Sequence, residues 1–344
     1  MPPSKSKRPT AIVTPDGADG ATDCHGLSTV HAFFTFGNLT NTINKYMMKQ
    51  QFLRTAVTAI LLWSLFTIPV HADEPFRKQR PKVGLVLGGG GARGAAEVGV
   101  LQVIEEIGIP IDYVAGTSIG AIVGAFFANG IKADSIESLF KSQDWSRVFS
   151  GSFLLNRSIE VYLEEVGHLP DSMSFDKLSI PFRCVAVDIK KVEEIVLDSG
   201  SVARAIHASM AIPGVFKPVE WRGRRLVDGG VLNNLPVDVV KAMGADIVIA
   251  VDLRQKKVKE RPRKNYDEHK GWLRYLQWFF CRPDQTKYLD NVKIADVRIN
   301  PKIKKHSVAC FSTDCIEDLI EIGKKAARKH RSELRKIKKR IYDL

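Results

Sequence analysis

The sequence predicts an α/β protein, a three-layer α/β/α sandwich around a mostly parallel central sheet. Short, nearly all-apolar runs of strand length alternate with stretches of helical spacing, as expected of parallel strands covered by helices on both faces. Two of these runs end in glycine-rich turns that lead straight into helices. The 344 residues, 44% of them hydrophobic, supply a substantial core.

The N-terminal part stands outside that pattern. Residues 1–46 are polar and Gly/Thr-rich and fit no part of an export signal, so they are expected not to belong to the mature protein, with translation starting at Met47 or Met48. In residues 47–72, Lys49 and Arg54 precede an uncharged, mostly apolar run from Ala56 to Val70, followed by His71-Ala72. This is the pattern of a signal peptide cleaved before Asp73. The apolar run is short for a membrane span of about 20 residues. Export to the periplasm or the exterior is therefore expected, leaving residues 73–344 as the working domain.

Within that domain the first strand is Lys82–Leu87, nearly all apolar. The helix after it begins near Ala95, sets Val98, Leu101, Ile104 and Ile107 on one face and stops at Gly108. A second strand, Asp112–Ala115, leads into a helix from Ile119 to Asn129, closed by Gly130. Further strands are expected at Phe182–Val187, Ile195–Leu197, Ile247–Val251 and Val297–Ile299. A hairpin turns at Arg222-Gly223, between Pro218–Trp221 and Arg224–Val227. A helix is expected around Ile316–Ala326, and the cation-rich stretch from Lys324 through Arg340 forms a basic C-terminal helix.

Three strings sit where buried strands should end: Gly89-Gly90-Gly91-Ala92-Arg93-Gly94, Gly116-Thr117-Ser118-Ile119-Gly120 and Asp228-Gly229-Gly230. Ser118 falls on a sharp strand-to-helix turn. Gly116 and Gly120 let strand and helix pass without Cβ clashes, and the helix N-terminus favours developing negative charge. That is the setting of a nucleophile, although a Gly-Ser turn without chemistry has the same letters. The glycine run bridges a strand and a helix N-terminus, so its N–H groups are free of side chains and able to face an anion. For acyl transfer the anion is a tetrahedral oxyanion, each donor to which is worth about 2.7 to 4 kcal/mol of barrier. Arg93 is expected to anchor the loop or support that charge. Asp228 ends the returning hairpin strand, and Gly229 and Gly230 let it approach another loop. Within hydrogen-bond reach of Ser118 it is a general base, provided burial raises its usual pKa of about 3.9.

Two other arrangements use the same residues. Gly89-x-Gly91-x-x-Gly94 is also the fingerprint of a dinucleotide fold, which requires an acidic residue at the end of the second strand. Asp112 stands instead at the start of its strand, at the wrong edge of the sheet. A Ser-Asp-His triad would draw on His207, His269, His306 or His330, all of which follow Ser118. His207 lies nearest the stretch Ala208–Phe216 that looks like a cleft wall, where a structural histidine is the plainer reading.

Taken together, the three strings resemble those of the patatin-like phospholipase family, with flanking similarity in Ala208–Phe216 and Asn234-Leu235-Pro236-Val237, over about Lys82 to Arg328. The resemblance implies a Ser-Asp dyad of Ser118 and Asp228, an oxyanion loop of Gly89, Gly90, Gly91, Arg93 and Gly94, and lipid acyl-ester substrates. It points to a phospholipase A or lysophospholipase, with a small-ester or thioester hydrolase and a silent lipid-binding protein as alternatives. One departure is Glu97, where many bacterial members have histidine; another is that no membrane β-barrel follows before Leu344.

No His/Cys cluster shows zinc-ligand spacing and no acidic calcium loop occurs, so metal-independent chemistry without a cofactor is expected. Cys310 and Cys315 are spaced for a small disulfide or remain free thiols. The net charge of +13 is concentrated in residues 254–290, where Arg254–Lys264 precedes the aromatic run Trp272–Phe280, and in the C-terminal tail. Such a surface suits peripheral contact with an anionic membrane. It does not point to nucleic acid, for which no recognised module is present.

Overall fold

The computed structural model describes residues 31–66, 79–145, 148, 158–169, 172–255 and 285–343. The expected cleavage site at Val70–Ala72, the basic residues from Lys256 to Lys264, and the aromatic run Trp272–Phe280 lie outside the described residues. The chain divides into two units, residues 1–77 and 78–344. In the first, helix α1 (His31–Phe66) runs without a break through Met47 and Met48 into the apolar stretch, and exposes Phe52, Leu53, Ile60, Leu61, Leu62 and Trp63. Among the described residues no helix is long and apolar enough to cross a membrane.

The second unit is an α/β sandwich. Strands β1 (Val83–Leu87), β2 (Tyr113–Thr117), β3 (Phe182–Asp188), β7 (Ile247–Val251) and β8 (Val297–Ile299) run parallel in the order β8-β7-β1-β2-β3. β1 and β7 are buried along their whole length, which is why their sequences show no polar alternation. Side chains of β1 divide between two cores. Leu85 and Leu87 join a cluster with α2 (Ala95–Ile107), α3 (Ile119–Ala128), α6 (Val202–Met210) and α9 (Thr313–Lys329). Val86 joins a second cluster with α7 (Val237–Ala242) and α8 (Gln285–Ile294). Two clusters on alternate sides of one strand are the two helix layers of the predicted sandwich.

Helix ends fall where glycine was read as a stop. Gly108 takes the left-handed conformation (φ 75°) and donates to the carbonyls of Ile104 and Glu105, and Gly130 (φ 88°) follows α3. α4 (Ala133–Ser142) and α5 (Ser158–Glu165) lie between α3 and β3, and α10 (Arg331–Tyr342) follows α9.

The antiparallel part of the sheet departs from the expected boundaries. Strand β4 (Glu193–Leu197) starts two residues before the predicted Ile195, because Glu193 and Glu194 pair with Asp188 and Val187 on β3. Ladder pairing outweighs the poor strand propensity of glutamate. The hairpin β5 (Val219–Trp221) and β6 (Arg224–Asp228) turns at Arg222-Gly223 as read, and β6 pairs antiparallel with Ala186–Asp188 of β3. Since β4 also pairs with those residues and with Cys184–Val185, which β2 flanks as well, β2 and β6 must share the opposite edge of β3. They run toward each other along it. Thr117 ends opposite Val185 and Asp228 ends opposite the next residue, Ala186.

Helix α9 covers α2 at a crossing of small residues. A Cβ on Gly323 would overlap the carbonyl oxygen of Ala96, and one on Gly99 would overlap that of Ile320. Both obstacles are backbone, which no side-chain rotation relieves. Two residues from Gly99, Glu97 is fully buried and neither of its carboxyl oxygens has a partner among the described residues. Burial raises the Glu97 carboxyl well above the usual carboxylate range, opposed more weakly by the nearby Gly88 N–H, which is itself donated to Val251 O. The N-terminus of α2 favours an anion by only about 0.3–1 kcal/mol, against a desolvation cost of several kcal/mol. Burial of Glu97 in the core therefore favours its neutral, protonated form.

Replacing Gly323 with Ala should lower unfolding stability by roughly 1–2 kcal/mol in a denaturant titration, overpacking exceeding a helix-propensity gain of about 1 kcal/mol. Glu97→Gln should flatten the dependence of stability on pH. An acid whose folded pKa lies above its unfolded one destabilises the fold increasingly as pH rises past the unfolded value near 4.5. Thermal unfolding followed from acid to neutral pH should show the native chain falling relative to the variant, and parallel curves would contradict a neutral Glu97.

Candidate active site

The parallel strand β2 hands directly to α3, and Ser118 takes the turn with φ 57° and ψ −125°. A non-glycine residue in such a conformation costs of order 1–3 kcal/mol and persists only where its neighbours hold it. Here the Ser118 N–H donates to Ser209 Oγ at 3.0 Å, and Ser209 Oγ donates to Val185 O at 2.7 Å. The Ser118 carbonyl accepts from Ala121 N–H at 2.8 Å. A serine at a helix N-terminus ordinarily turns its hydroxyl back on the helix as a cap. Ser118 makes no such bond; its Oγ donates to Asp228 Oδ2 at 2.7 Å. Gly116 and Gly120 are as close as the turn requires, since a Cβ on Gly116 would overlap Gly120 O and one on Gly120 would overlap Leu87 O.

Asp228 arrives from the opposite direction at the end of β6, and its N–H donates to Ala211 O at 3.0 Å. Its second oxygen, Oδ1, accepts from Gly230 N–H at 2.7 Å, which leaves Oδ2 turned to the serine. Both side chains of the pair are nearly buried. A Cβ on Gly229 would overlap Val185 O, and one on Gly230 would lie 2.6 Å from Asn234 Oδ1, so neither position has room for a side chain.

The glycine loop closes against this pair. Asn234 clamps it by a reciprocal contact in which its Nδ2 donates to Gly89 O at 3.0 Å and Gly89 N–H donates to Asn234 O at 3.1 Å. That bond corrects one expectation, because it removes the Gly89 N–H from the set of free donors. Gly88 N–H is donated to Val251 O and Ala92 N–H to Val308 O, whereas no acceptor for the Gly90 and Gly91 N–H groups exists among the described residues. Gly89 itself lies close to the Ser118 turn, a Cβ there being 3.3 Å from Ser118 Cβ. At Gly94 a Cβ would overlap the side chain of Ile119, so its absence lets the loop's helical end press on the start of α3. Arg93 anchors the loop, its Nε and Nη2 donating to His306 O at 2.9 and 2.8 Å.

The histidines are occupied elsewhere. His207 Nδ1 sits 2.9 Å from Glu160 Oε1 with its ring edge-on to Phe216, and His330 contacts Glu333. His269 lies outside the described residues. Three residues that sequence reasoning did not place in the site are Ser209, Asn234 and Thr117, whose Oγ1 donates to Asn233 O at 2.9 Å. Ser209 and Asn234 fall within quoted stretches, but their partners are backbone groups of distant segments. The sequence spacing of the histidines and cysteines suggests no zinc site, but three of them meet in space. His306, Cys310 and Cys315 converge in the fold, with the two cysteines joined as a disulfide.

Residues 85–241, which hold all three strings, match the model of the patatin-like phospholipase family. This is shorter than the span from Lys82 to Arg328 over which the motifs and their flanks were read. Similar curated proteins include patatin-like phospholipase domain-containing protein 6 of Homo sapiens, 34% identical over 62% of this chain and 16% of that protein. Neuropathy target esterase sws of Drosophila melanogaster is 33% identical over 69% of this chain and 19% of its own length. Lysophospholipase NTE1 of Debaryomyces hansenii is 35% identical over 65% of this chain and 15% of its own. The chain thus corresponds to less than a fifth of each of these relatives. Among solved structures, VipD from Legionella pneumophila aligns over 74% of this chain and 67% of that one, with a TM-score of 0.47 and 16% identity. Residues 85–241 thus form a domain of the patatin-like phospholipase family.

Proposed function

We propose that this protein is a lipid acyl-ester hydrolase, a phospholipase A or lysophospholipase, that works through Ser118 and Asp228 without a histidine. The observation that carries the reading is the direct 2.7 Å bond from Ser118 Oγ to Asp228 Oδ2 in a nearly water-free turn. Asp228 accepts the hydroxyl proton as Ser118 attacks the ester carbonyl, and the Gly90 and Gly91 amides receive the oxyanion. The tetrahedral intermediate collapses with the C–O bond to the alcohol breaking, and Asp228 returns the proton to the leaving oxygen. Water, deprotonated by the same carboxylate, then attacks the acyl-enzyme and releases the fatty acid and the serine. The names of the relatives, which include a lysophospholipase, support a lipid substrate. Contact with an anionic bilayer is part of the proposal, and the exposed cations Arg335, Lys336, Lys339 and Arg340 of α10 support it.

Fatty-acid release from mixed phospholipid vesicles tests the reading. Ser118→Ala should reduce release to background, and Asp228→Asn should lower it by about 10²–10⁴-fold while vesicle binding persists. Release that survives in Ser118→Ala would assign it to another group or a contaminant, and none from the native chain would move the protein toward small esters or lipid binding alone. Ser209 is a positioning residue in this scheme. Ser209→Ala removes both hydrogen bonds of its Oγ, of which the one from the Ser118 N–H is worth about 1–2 kcal/mol, so kcat should fall about tenfold with little change in KM.

A further inference from the structure

After β8 the chain crosses to α9 through residues 300–312, and this crossover reaches the back of the glycine loop. Its His306 carbonyl accepts both Arg93 N–H groups, and its Val308 carbonyl accepts Ala92 N–H. The same crossover gathers a second set of chemical groups. His306 Nδ1 lies 3.3 Å from Cys315 Sγ, and Cys315 is bonded to Cys310 across a Cα–Cα distance of 6.1 Å. The ligand atoms of the three residues all fall within 4.8 Å of one another. On the far side of the imidazole, Nε2 lies 2.9 Å from Asp318 Oδ2.

The orientation of that histidine matters. A carboxylate on Nε2 holds the proton there and leaves the Nδ1 lone pair aimed at the sulfurs, the arrangement that orients histidines on metals. Two cysteines and an imidazole are a borderline-soft donor set suited to zinc-class cations and poorly suited to calcium or magnesium. A tetrahedral ion at about 2.3 Å from sulfur and 2.0–2.1 Å from nitrogen sets its ligand atoms about 3.5–3.8 Å apart. The His306–Cys315 separation is already near that value, and the sulfurs part once they are no longer bonded.

We propose that the reduced form of this cluster binds one zinc-class divalent cation through Cys310, Cys315 and His306, with Asp318 orienting the imidazole and water in the fourth position. A dithiol supplies two electrons and two protons to the Cys310–Cys315 bond, giving two thiols and the oxidised dithiol. The cation then displaces those two protons as the thiols become thiolates. Disulfide and cation are two alternative closures of one segment, and both hold the stretch whose carbonyls anchor the glycine loop.

The full chain, reduced with a dithiol that is then removed under inert gas, is titrated with Co²⁺ and followed by absorption. One equivalent should produce thiolate-to-cobalt bands in the near ultraviolet and the intense visible bands of tetrahedral Co²⁺, and Zn²⁺ should abolish both. The unreduced chain should show neither. His306→Ala should lose the signal, and Asp318→Asn should weaken binding about 10–100-fold. Asp318 is 60% exposed, so its variant keeps the test decisive if a cysteine variant folds poorly. Free thiols at Cys310 and Cys315 with no cobalt band would overturn the proposal. So would an equal band in a Cys310→Ser/Cys315→Ser variant, which would assign the metal to Cys24, Cys184 or Cys281.

Discussion

One edge of β3 governs the arrangement of the site. It is long enough to serve two strands in succession, the parallel β2 along its first half and the antiparallel β6 along its second. Two strands that approach each other along a shared edge must end face to face. Each ends in a residue with a chemical function, so Ser118 and Asp228, 110 positions apart in sequence, become neighbours through ladder hydrogen bonds. No loop has to be folded over to bring them together. The glycines around them follow from the same constraint, because two strand ends and a helix start converge where there is room only for backbone.

Strain and support are matched locally. The left-handed backbone at Ser118 points its hydroxyl away from α3 and toward β6, and Ser209 ties the amide of that turn to Val185 on β3. The strand that aligns the two side chains thus also bears the turn's conformational load. Behind the pair, Asn234 joins the glycine loop to the segment after Asp228, so the three motifs form one hydrogen-bonded unit. Glu97 is placed quite differently. It lies a few residues past the glycine loop, yet it is enclosed in the core, where burial favours its neutral form.

Much of this was legible in the sequence because it is local. Val83–Leu87 and Tyr113–Thr117 are strands buried on both faces, Gly108 and Gly130 stop helices, and the strand-turn-helix at Ser118 is complete within ten residues. Asp228 could be singled out because two glycines follow it. What could not be read depends on contacts over long stretches of chain. The Gly89 N–H is lost to Asn234, 145 residues on, and Ser209 finds its role only at Ser118, 91 residues back. Glu193 and Glu194 look unfit for a strand until β3 offers them a ladder. The spacing of His306, Cys310 and Cys315 looks unremarkable until α9 folds back and sets Asp318 behind the imidazole.

The anchoring of the glycine loop also has a consequence in time. Arg93 and Ala92 are held by carbonyls of His306 and Val308, more than two hundred residues later in the chain. While the protein is being synthesised, strands β1 to β6 and both members of the Ser118–Asp228 pair emerge before those carbonyls exist. The nascent chain therefore carries the hydrogen-bonded pair beside an unbraced loop, and the loop is braced only when residues 300–312 dock. The brace that holds the glycine loop thus forms later than the pair it serves.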